Sequence, residues 1–269
     1  MTADALAAAA DAMAAAGVET PRLDAELLLA EATGWERTRM VANPDAKIPS
    51  PAARRFGEMV RRRLRREPLA YIVGRRGFRH LDLVVDPRVL VPRPETELLV
   101  ELALELQPRR VLDVGTGSGA IALAIAAELP GCEVLASDTS SRALDVARAN
   151  CESLGLAGRV ELIEGPLPTD VSELDLIVAN LPYVSEVDWD RLEPEVTKWE
   201  PREALLAGPD GLDVFRSAIP ALASGPVVGL EVGEGQAEAV GELLHRVGFG
   251  SIETRADLAG IERVVVGRR

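Results

Sequence analysis

Val111-Leu112-Asp113-Val114-Gly115-Thr116-Gly117-Ser118-Gly119-Ala120-Ile121 is the stretch that decides the fold. A short apolar strand ends at Val114. Three alternating glycines follow, and an Ala- and Ile-rich helix over Ile121–Leu129 comes next. Glycine at those positions lets the backbone turn tightly and approach a ligand closely. The start of the helix offers N–H groups without intrahelical partners. The next strand, Val134–Ser137, runs into Asp138, nineteen residues past Gly119. A carboxylate at that strand end can take both hydroxyls of a ribose, the logic of nucleoside-binding α/β folds. A dinucleotide site typically reads G-x-G-x-x-G. Here the spacing is G-x-G-x-G, led by an acid.

Working outward, Ser140–Leu154 reads as a helix capped by Ser140. Val160–Ile163, Leu176–Ala179 and Val227–Val232 read as strands, with a helix over Gln236–Val247. Ser251–Thr254 and Arg263–Val266 close the chain as strands. Apolar strands between amphipathic helices predict an α/β fold, a mostly parallel sheet covered on both faces. Upstream, Ala3–Ala16 reads as a helix stopped by Gly17, and a second runs from Pro21 to near Gly34. A third is capped by Ser50, opened by Pro51 and carried to Glu67-Pro68. Leu81–Val85 and Val89–Val91, on either side of Asp86-Pro87, predict a β-hairpin. Pro92 and Pro94 stiffen the entry to a helix over Glu95–Leu106. The expected organisation is a helical domain over 1–68, a hairpin linker over 69–92 and an α/β domain over 93–269.

The chain has 269 residues with 43 acidic and 30 basic side chains, a net charge of −13. With 47% hydrophobic and 27% charged residues it is globular in composition, so wholesale disorder is excluded. The acidity lies downstream: residues 1–70 sum to +1 and residues 71–269 to −14. An acidic main body argues against a broad nucleic-acid-binding face. The local exception is Arg54 to Arg66, seven arginines with one glutamate, which reads either as a solvated helix face or as a docking patch for an anionic partner. Two cysteines and two histidines leave no disulfide framework and no multi-histidine metal site. No apolar run is long enough to cross a membrane. Asp4 and Asp11 interrupt the Ala-rich start, against its reading as a secretory signal, so a reducing cytoplasm is expected.

The second chemical motif is Asn180-Leu181-Pro182-Tyr183, at the carboxyl end of the strand Leu176–Ala179. Ligands of open α/β sheets bind at that edge. A nitrogen conjugated to a carbonyl or an aromatic ring is a poor nucleophile. Hydrogen-bond acceptors on its two N–H groups orient it and favour the charge that develops during transfer. The Asn180 side-chain oxygen and the Leu181 carbonyl can supply two such acceptors, and Tyr183 can pack on the planar group. The glycine loop resembles that of class I methyltransferases, which bind S-adenosylmethionine, and Asn180–Tyr183 resembles the Asn-Pro-Pro-Tyr signature of enzymes methylating planar nitrogen.

Longer segments are similar to one family, the peptide chain release factor N(5)-glutamine methyltransferases. They are Glu67–Gly74, Val91-Pro92-Arg93-Pro94-Glu95-Thr96-Glu97, Glu200–Leu205, Gly208–Gly211, Glu231-Val232-Gly233 with Gln236, Ala259–Val264 and, near the start, Pro21–Glu26. The resemblance implies an S-adenosylmethionine-dependent enzyme that methylates the side-chain amide of the glutamine in the Gly-Gly-Gln motif of class I release factors, its protein partners. It implies that Gly115, Thr116, Gly117, Ser118 and Gly119 line the cofactor, with Pro166 and Asn180, and that Asp138 holds the ribose. Asn180, Leu181, Pro182 and Tyr183 would bind the glutamine amide, and the helical domain would recognise the substrate. No metal, membrane or direct nucleic-acid partner is implied. Two positions depart from the family pattern: Leu181 stands where the first proline is usual, and Glu164-Gly165-Pro166-Leu167 lacks the usual Asp-Trp or Asp-Leu.

Three other readings share part of these motifs. A glutamine methyltransferase acting on a ribosomal protein would share all of them. An adenine N6-methyltransferase would share the planar-nitrogen logic, but the acidic body disfavours a phosphate-rich substrate. A non-enzymatic S-adenosylmethionine-binding module would not need Asn180–Tyr183.

Overall fold

Strands in the middle of the chain are apolar on both faces, so they are buried between two layers of helices. The computed structural model describes residues 1–167 and 173–269. The amino-terminal helices are α1 (Thr2–Ala15), α2 (Pro21–Thr33), α3 (Arg37–Ala42), α4 (Ser50–Leu64) and α5 (Leu69–Val73). Strands β1 (Arg75–Phe78) and β2 (Leu81–Val84) precede α6 (Glu97–Leu106). Then come β3 (Arg110–Val114), α7 (Ala120–Glu128), β4 (Glu133–Asp138), α8 (Ser141–Ser153), β5 (Val160–Glu164) and β6 (Leu176–Ala179). Short helices α9 (Glu186–Trp189) and α10 (Pro194–Trp199) lead to α11 (Asp213–Leu222), β7 (Val227–Glu231), α12 (Ala237–Arg246), β8 (Ser251–Ala256) and β9 (Glu262–Arg268).

Chain contacts divide the described residues into two units, Met1–Gly74 with Glu193–Trp199, and Arg75–Leu192 with Glu200–Arg269. The second unit is built on a seven-stranded sheet in the order β5-β4-β3-β6-β7-β9-β8. Strands β3 to β7 run parallel, β9 runs antiparallel to β7, and β8 antiparallel to β9. The expected mostly parallel sheet is thus observed. Side chains obey the period of two: Val111, Val134, Ala136, Leu176, Val178, Val264 and Val266 enter one core, while Leu112, Leu135, Ile177, Ala179 and Val265 enter the other. Helix α7 is buried from Ala120 to Ala126, which explains its small, wholly apolar sequence.

The hairpin differs from the expectation. Its strands are β1 and β2, paired from Arg75–Val84 to Phe78–Leu81, and Val89–Val91 forms no strand. Pro87 two residues before Val89 and Pro92 just after Val91 leave that run little scope for a ladder. Residues 69–73, expected in the linker, are helical and belong to the first unit. Nor does the hairpin merely link: Phe78 and Leu83 enter the core beside α7. Asn150 of α8, fully buried, accepts from Val84 N–H (2.7 Å) and donates to the carbonyls of Val84 (3.0 Å) and Ser118 (2.9 Å). Ser50 also differs, being the first helical residue of α4 rather than its cap.

In the first unit α1, α2 and α4 pack around Leu6, Met13, Leu28, Leu29 and Phe56. The Arg54–Arg66 cluster is divided. Arg54, Arg61 and Arg65 are exposed, but Arg63 is buried and donates to Asp24 (2.6 Å) and Glu195 (2.5 Å). Arg66 pairs with Glu193 and Glu195, each at 2.6 Å, and Arg62 with Glu67 at 2.5 Å. Three of the seven arginines are therefore internal ties, which corrects the reading of the whole cluster as one surface.

Asn150→Ala would take the partner from two carbonyls and one N–H, the Ser118 carbonyl among them being buried. The expected cost is about 3 kcal/mol, a fall in Tm of roughly 6–12 °C. Scanning calorimetry checks it, and a loss under about 2 °C would mean that the hairpin is held without this side chain.

Candidate active site

Strand order reverses between β3 and β6, which lie side by side and run parallel. Their carboxyl ends open a crevice, because successive connections leave in opposite directions. A cleft of about 700 Å³ lies there. The loop after β3 and the motif after β6 both line it, as do Asp138 and Pro166.

The glycine loop is held from β4. Gly115 and Thr116 N–H donate to the Ser137 carbonyl (2.8 and 3.0 Å), and Gly117 N–H donates to Asp138 Oδ2 (2.9 Å). Gly115, Gly117 and Gly119 have φ of +74°, +57° and +85°, where a side chain is strained. At Gly119 a Cβ would also meet Leu123 at 2.9 Å, so this glycine lets helix α7 start close to its neighbours. Gly119 is not among the residues lining the cleft, whereas Gly115 to Ser118 are. Asp138 Oδ1 accepts from Ser140 N–H (2.8 Å). Each carboxylate oxygen thus carries one backbone hydrogen bond and retains a second lone pair for a ligand hydroxyl.

Pro166 is exposed beside Gly165 and Leu167, and all three line the cleft. Gly165 N–H donates to the Asp138 carbonyl (2.9 Å) and Ser137 Oγ to the Pro166 carbonyl (3.4 Å). Gly165 and Pro166 are therefore fixed against β4, and among the described residues of the segment after β5 none that lines the cleft is acidic.

At the end of β6, Asn180 Nδ2 donates to Thr96 Oγ1 (3.2 Å). Leu181 is buried, with its side chain over Gly115, where a Cβ would lie 3.6 Å from it. Pro182 lines the cleft, while Tyr183 packs against the core beneath β7. The Tyr183 hydroxyl donates to Glu231 Oε1 (3.4 Å), and its carbonyl accepts from Gln236 Nε2 (2.9 Å). Gly211 must be a glycine here: its φ is +75°, and a Cβ would meet the Tyr183 carbonyl at 2.3 Å. Asn180, Leu181 and Pro182 thus line the cleft together, whereas Tyr183, expected to bind the substrate amide, is not among the residues lining it.

Several cleft residues escaped the motif analysis. Arg88 to Leu90, Pro92, Arg93 and Thr96 form one wall. Their signal was the Pro-Arg-Pro segment, which carried no chemistry of its own. Glu200 holds this wall, accepting from Val91 N–H (3.0 Å) and pairing with Arg93. Helix α11 presents Val214, Ser217, Ala218 and Ala221 to the cleft, at helical spacing, and buries Phe215, Ile219 and Leu222 behind.

Two buried acids stand behind the site. Burial pushes Asp113 up to about 7, against hydrogen bonds from Thr116 and Ala122. Glu231 is also pushed to about 7, first by burial, with hydrogen bonds from Thr96 and Tyr183 opposing. Burial raises the Tyr183 phenol above its ordinary value, so it stays protonated at neutral pH.

The cleft fits S-adenosylmethionine rather than a dinucleotide. A pyrophosphate needs free loop N–H groups, and three consecutive ones here are engaged by β4. A Cβ at Gly117 would point into open space, as backbone bordering a ligand cavity requires. Fold and cleft together define a class I S-adenosylmethionine-dependent methyltransferase. The family model "Methyltransferase small domain" matches residues 94–193, and "PrmC N-terminal domain" matches residues 4–74. Among solved structures, a methyltransferase from Pyrococcus furiosus superposes with a TM-score of 0.52 at 17% identity, covering 70% of this chain and 88% of that one. The hMettl16 catalytic domain in complex with an RNA hairpin gives 0.58 at 17%, covering 70% and 75%. At such identity these show the fold alone. Curated proteins named release factor glutamine methyltransferase are much nearer. The one from Geobacter sulfurreducens is 43% identical, covering 95% of this chain and 92% of its own. Those from Caulobacter vibrioides and Moorella thermoacetica are 40% and 42% identical, covering 97% and 98% of this chain and 93% and 97% of their own. This chain belongs to the release factor glutamine methyltransferase family.

The buried Asp113 gives a pH prediction. Its folded value lies above the ordinary 3.8, so folding takes up a proton between about pH 4 and 7 and stability falls as pH rises through that window. Asp113→Asn should show a shallower fall of Tm over that range, measured by calorimetry. Parallel wild-type and variant curves would mean that the carboxyl ionises normally.

Proposed function

We propose that this enzyme transfers the methyl group of S-adenosylmethionine to the side-chain amide nitrogen of the glutamine in the Gly-Gly-Gln motif of class I release factors. The observation that carries this reading is the hydrogen bond from Asn180 Nδ2 to Thr96, which leaves Asn180 Oδ1 as an acceptor at the cleft. When bound, the cofactor supplies a methyl group activated by its sulfonium. Gly115 to Ser118 bind it through backbone, and Asp138 accepts the ribose hydroxyls with its remaining lone pairs. Gly119 supports the turn from behind, and Pro166 borders the adenine.

Asn180 Oδ1 and the Leu181 carbonyl accept the two amide N–H groups of the substrate glutamine. This fixes the nitrogen in line with the methyl and favours the positive charge that grows on it. Pro182 flanks the planar amide, and Tyr183, packed against the core, holds the loop from behind. After transfer the nitrogen sheds one proton to water. The helical domain, expected over residues 1–68, recognises the release factor, with Arg54, Arg61 and Arg65 available to an acidic partner surface. Among the described residues no helix is long and apolar enough to cross a membrane. Both cysteines are free and buried, which fits a reducing cytoplasm.

The substrate test is direct. Radiolabelled S-adenosylmethionine is supplied with purified class I release factors, ribosomal proteins or nucleic acid. Label is expected on the release factor glutamine, and label only on ribosomal protein or on adenine would replace this reading.

Two variants separate binding from chemistry. Asp138→Ala should weaken cofactor binding about 10- to 150-fold, and calorimetry showing unchanged affinity would remove it from the site. Asn180→Ala should lower turnover about 100- to 1000-fold with cofactor affinity kept. Retention of half the wild-type rate would exclude Asn180 from the mechanism.

A further inference from the structure

Arg93 is a charged side chain of the cleft wall that nothing in the reaction uses. Its backbone is stiff. Pro92 and Pro94 flank it, and a residue before proline is pushed to extended backbone, as its φ of −101° and ψ of 147° show. One 3₁₀ turn begins there. Thr96 N–H donates to the Arg93 carbonyl (3.2 Å), and Thr96 Oγ1 accepts from Asn180 Nδ2 (3.2 Å). Arg93 is thus three residues, about 6 Å of 3₁₀ rise, from the residue that orients Asn180.

Glu200 holds the arginine. Its side chain is 2% exposed, and its two oxygens are divided between Arg93 Nη2 and Val91 N–H (3.0 Å). Pro201, Glu203 and Ala204, which follow it, also line the cleft. One buried acid therefore fastens two lining segments together. The Arg93 side chain itself stays 32% exposed. A guanidinium carries five N–H donors. Among the described residues only Nη2 has a hydrogen-bond partner, so the donors of Nε and Nη1 are left for a ligand.

We propose that Arg93 is a substrate-binding residue, whose remaining donors take a main-chain carbonyl oxygen beside the substrate glutamine, and that Glu200 is the positioning residue that aims them. The inference rests on the assignment of the glutamine amide to Asn180 Oδ1 and the Leu181 carbonyl. The reach agrees. The amide carbon of a glutamine lies three carbon–carbon bonds from its own Cα, about 4 Å. With the amide at Asn180, the substrate backbone falls within reach of an arginine rooted one turn from Thr96. The chemistry agrees as well. Asn180 and Leu181 offer acceptors, whereas a peptide in a cleft also brings carbonyl oxygens, which need donors once water is displaced. The two glycines before the glutamine leave those carbonyls uncovered by side chains.

Charge separates this ligand from another oxygen group, the carboxylate of the cofactor. Four charged side chains line the cleft: Arg88, Arg93, Asp138 and Glu203. Arg88 is balanced by Asp86, which accepts from its Nε (2.9 Å) and Nη2 (2.7 Å), and Arg93 is balanced by Glu200. Asp138 and Glu203 remain, so among the described residues the lining has an excess of acid. A further carboxylate is disfavoured there, while a neutral carbonyl is not. A planar fork fixed by a buried acid supplies direction rather than net charge.

The test measures kcat and KM on purified class I release factor, with cofactor affinity by calorimetry and folding by Tm. Arg93→Met removes the donors and should raise KM about 10- to 150-fold with kcat and cofactor affinity little changed. A rise in KM at steady kcat marks binding shared by the ground and transition states. Arg93→Lys keeps the charge without the fork and should fall between the two. Glu200→Gln turns an NH₂ group toward one of its two donors and should also raise KM. In the double variant Arg93→Met/Glu200→Gln it should add nothing to the effect of Arg93→Met, a coupling that two independent packing losses would not give. The double variant also covers the case in which Arg93→Met alone unfolds because Glu200 is left unpaired. Wild-type KM in folded variants lacking the arginine overturns the proposal. Loss of cofactor affinity by the same factor, with KM for the release factor unchanged, also overturns it and gives Arg93 to the cofactor carboxylate. A wild-type enzyme that leaves the release factor unlabelled means instead that the substrate reading fails, so the two failures are told apart.

Discussion

Three consecutive N–H groups, those of Gly115, Thr116 and Gly117, are given to the end of β4. The rest of the site depends on this. Because the donors are spent on the protein, the loop keeps its shape without a ligand. It meets a ligand through the open backbone face at Gly117 and the remaining lone pairs of Asp138. The glycines are required because the turn that aims these N–H groups at β4 needs φ in the left-handed region at alternate residues. The same tie makes Asp138 serve two purposes. Its carboxylate closes the loop on one side and offers acceptors to the cleft on the other. Neighbouring Ser137 repeats the pattern, taking loop N–H groups on its carbonyl and reaching the Pro166 carbonyl with its hydroxyl.

The two buried acids each stand at the root of one of the two motifs. Asp113 points into the sheet at the root of the glycine loop, where Thr116 Oγ1 (2.6 Å) and Ala122 N–H (3.2 Å) both donate to one oxygen. It ties loop to helix from behind and touches no cleft space. Glu231 lies two strands away, at the root of the other motif, and receives the Tyr183 hydroxyl (3.4 Å). Burial raises both acids above the ordinary carboxylate range, so each is expected to make stability fall as pH rises toward 7.

Much of this was legible in the sequence because its signals are local. The strand–glycine–helix unit, the acid ending the next strand and Asn180–Tyr183 each lie within a few residues, and their chemistry follows from type and spacing. What escaped was set by distant pairing. Arg63 and Arg66 read as a charged helix face because their partners, Glu193 and Glu195, lie about 130 residues downstream. The hairpin was displaced because β1, Arg-Arg-Gly-Phe, has one buried residue and no alternation to find. Helix α11 was missed because Pro220 interrupts its pattern, yet its two faces divide at helical spacing between core and cleft. Thr96 looked like part of a helix start, and only the folded chain brings it to Asn180.

The departures from the family pattern at Leu181 and after β5 fall where the site asks for backbone rather than a particular side chain. Position 181 must offer a carbonyl, and every residue has one. Pro182 already biases its predecessor toward extended backbone. The Leu181 side chain uses its freedom to pack over Gly115, so it closes the base of the cleft between the two motifs. After β5, Gly165 is fixed through its N–H and Pro166 through its carbonyl. Tyr183 is different, since its ring, hydroxyl and carbonyl are all engaged, by the core, Glu231 and Gln236 respectively. Tolerance along this motif therefore follows what each residue contributes: it is wide at position 181 and narrow at Asn180 and Tyr183, whose side chains are held by partners on other elements.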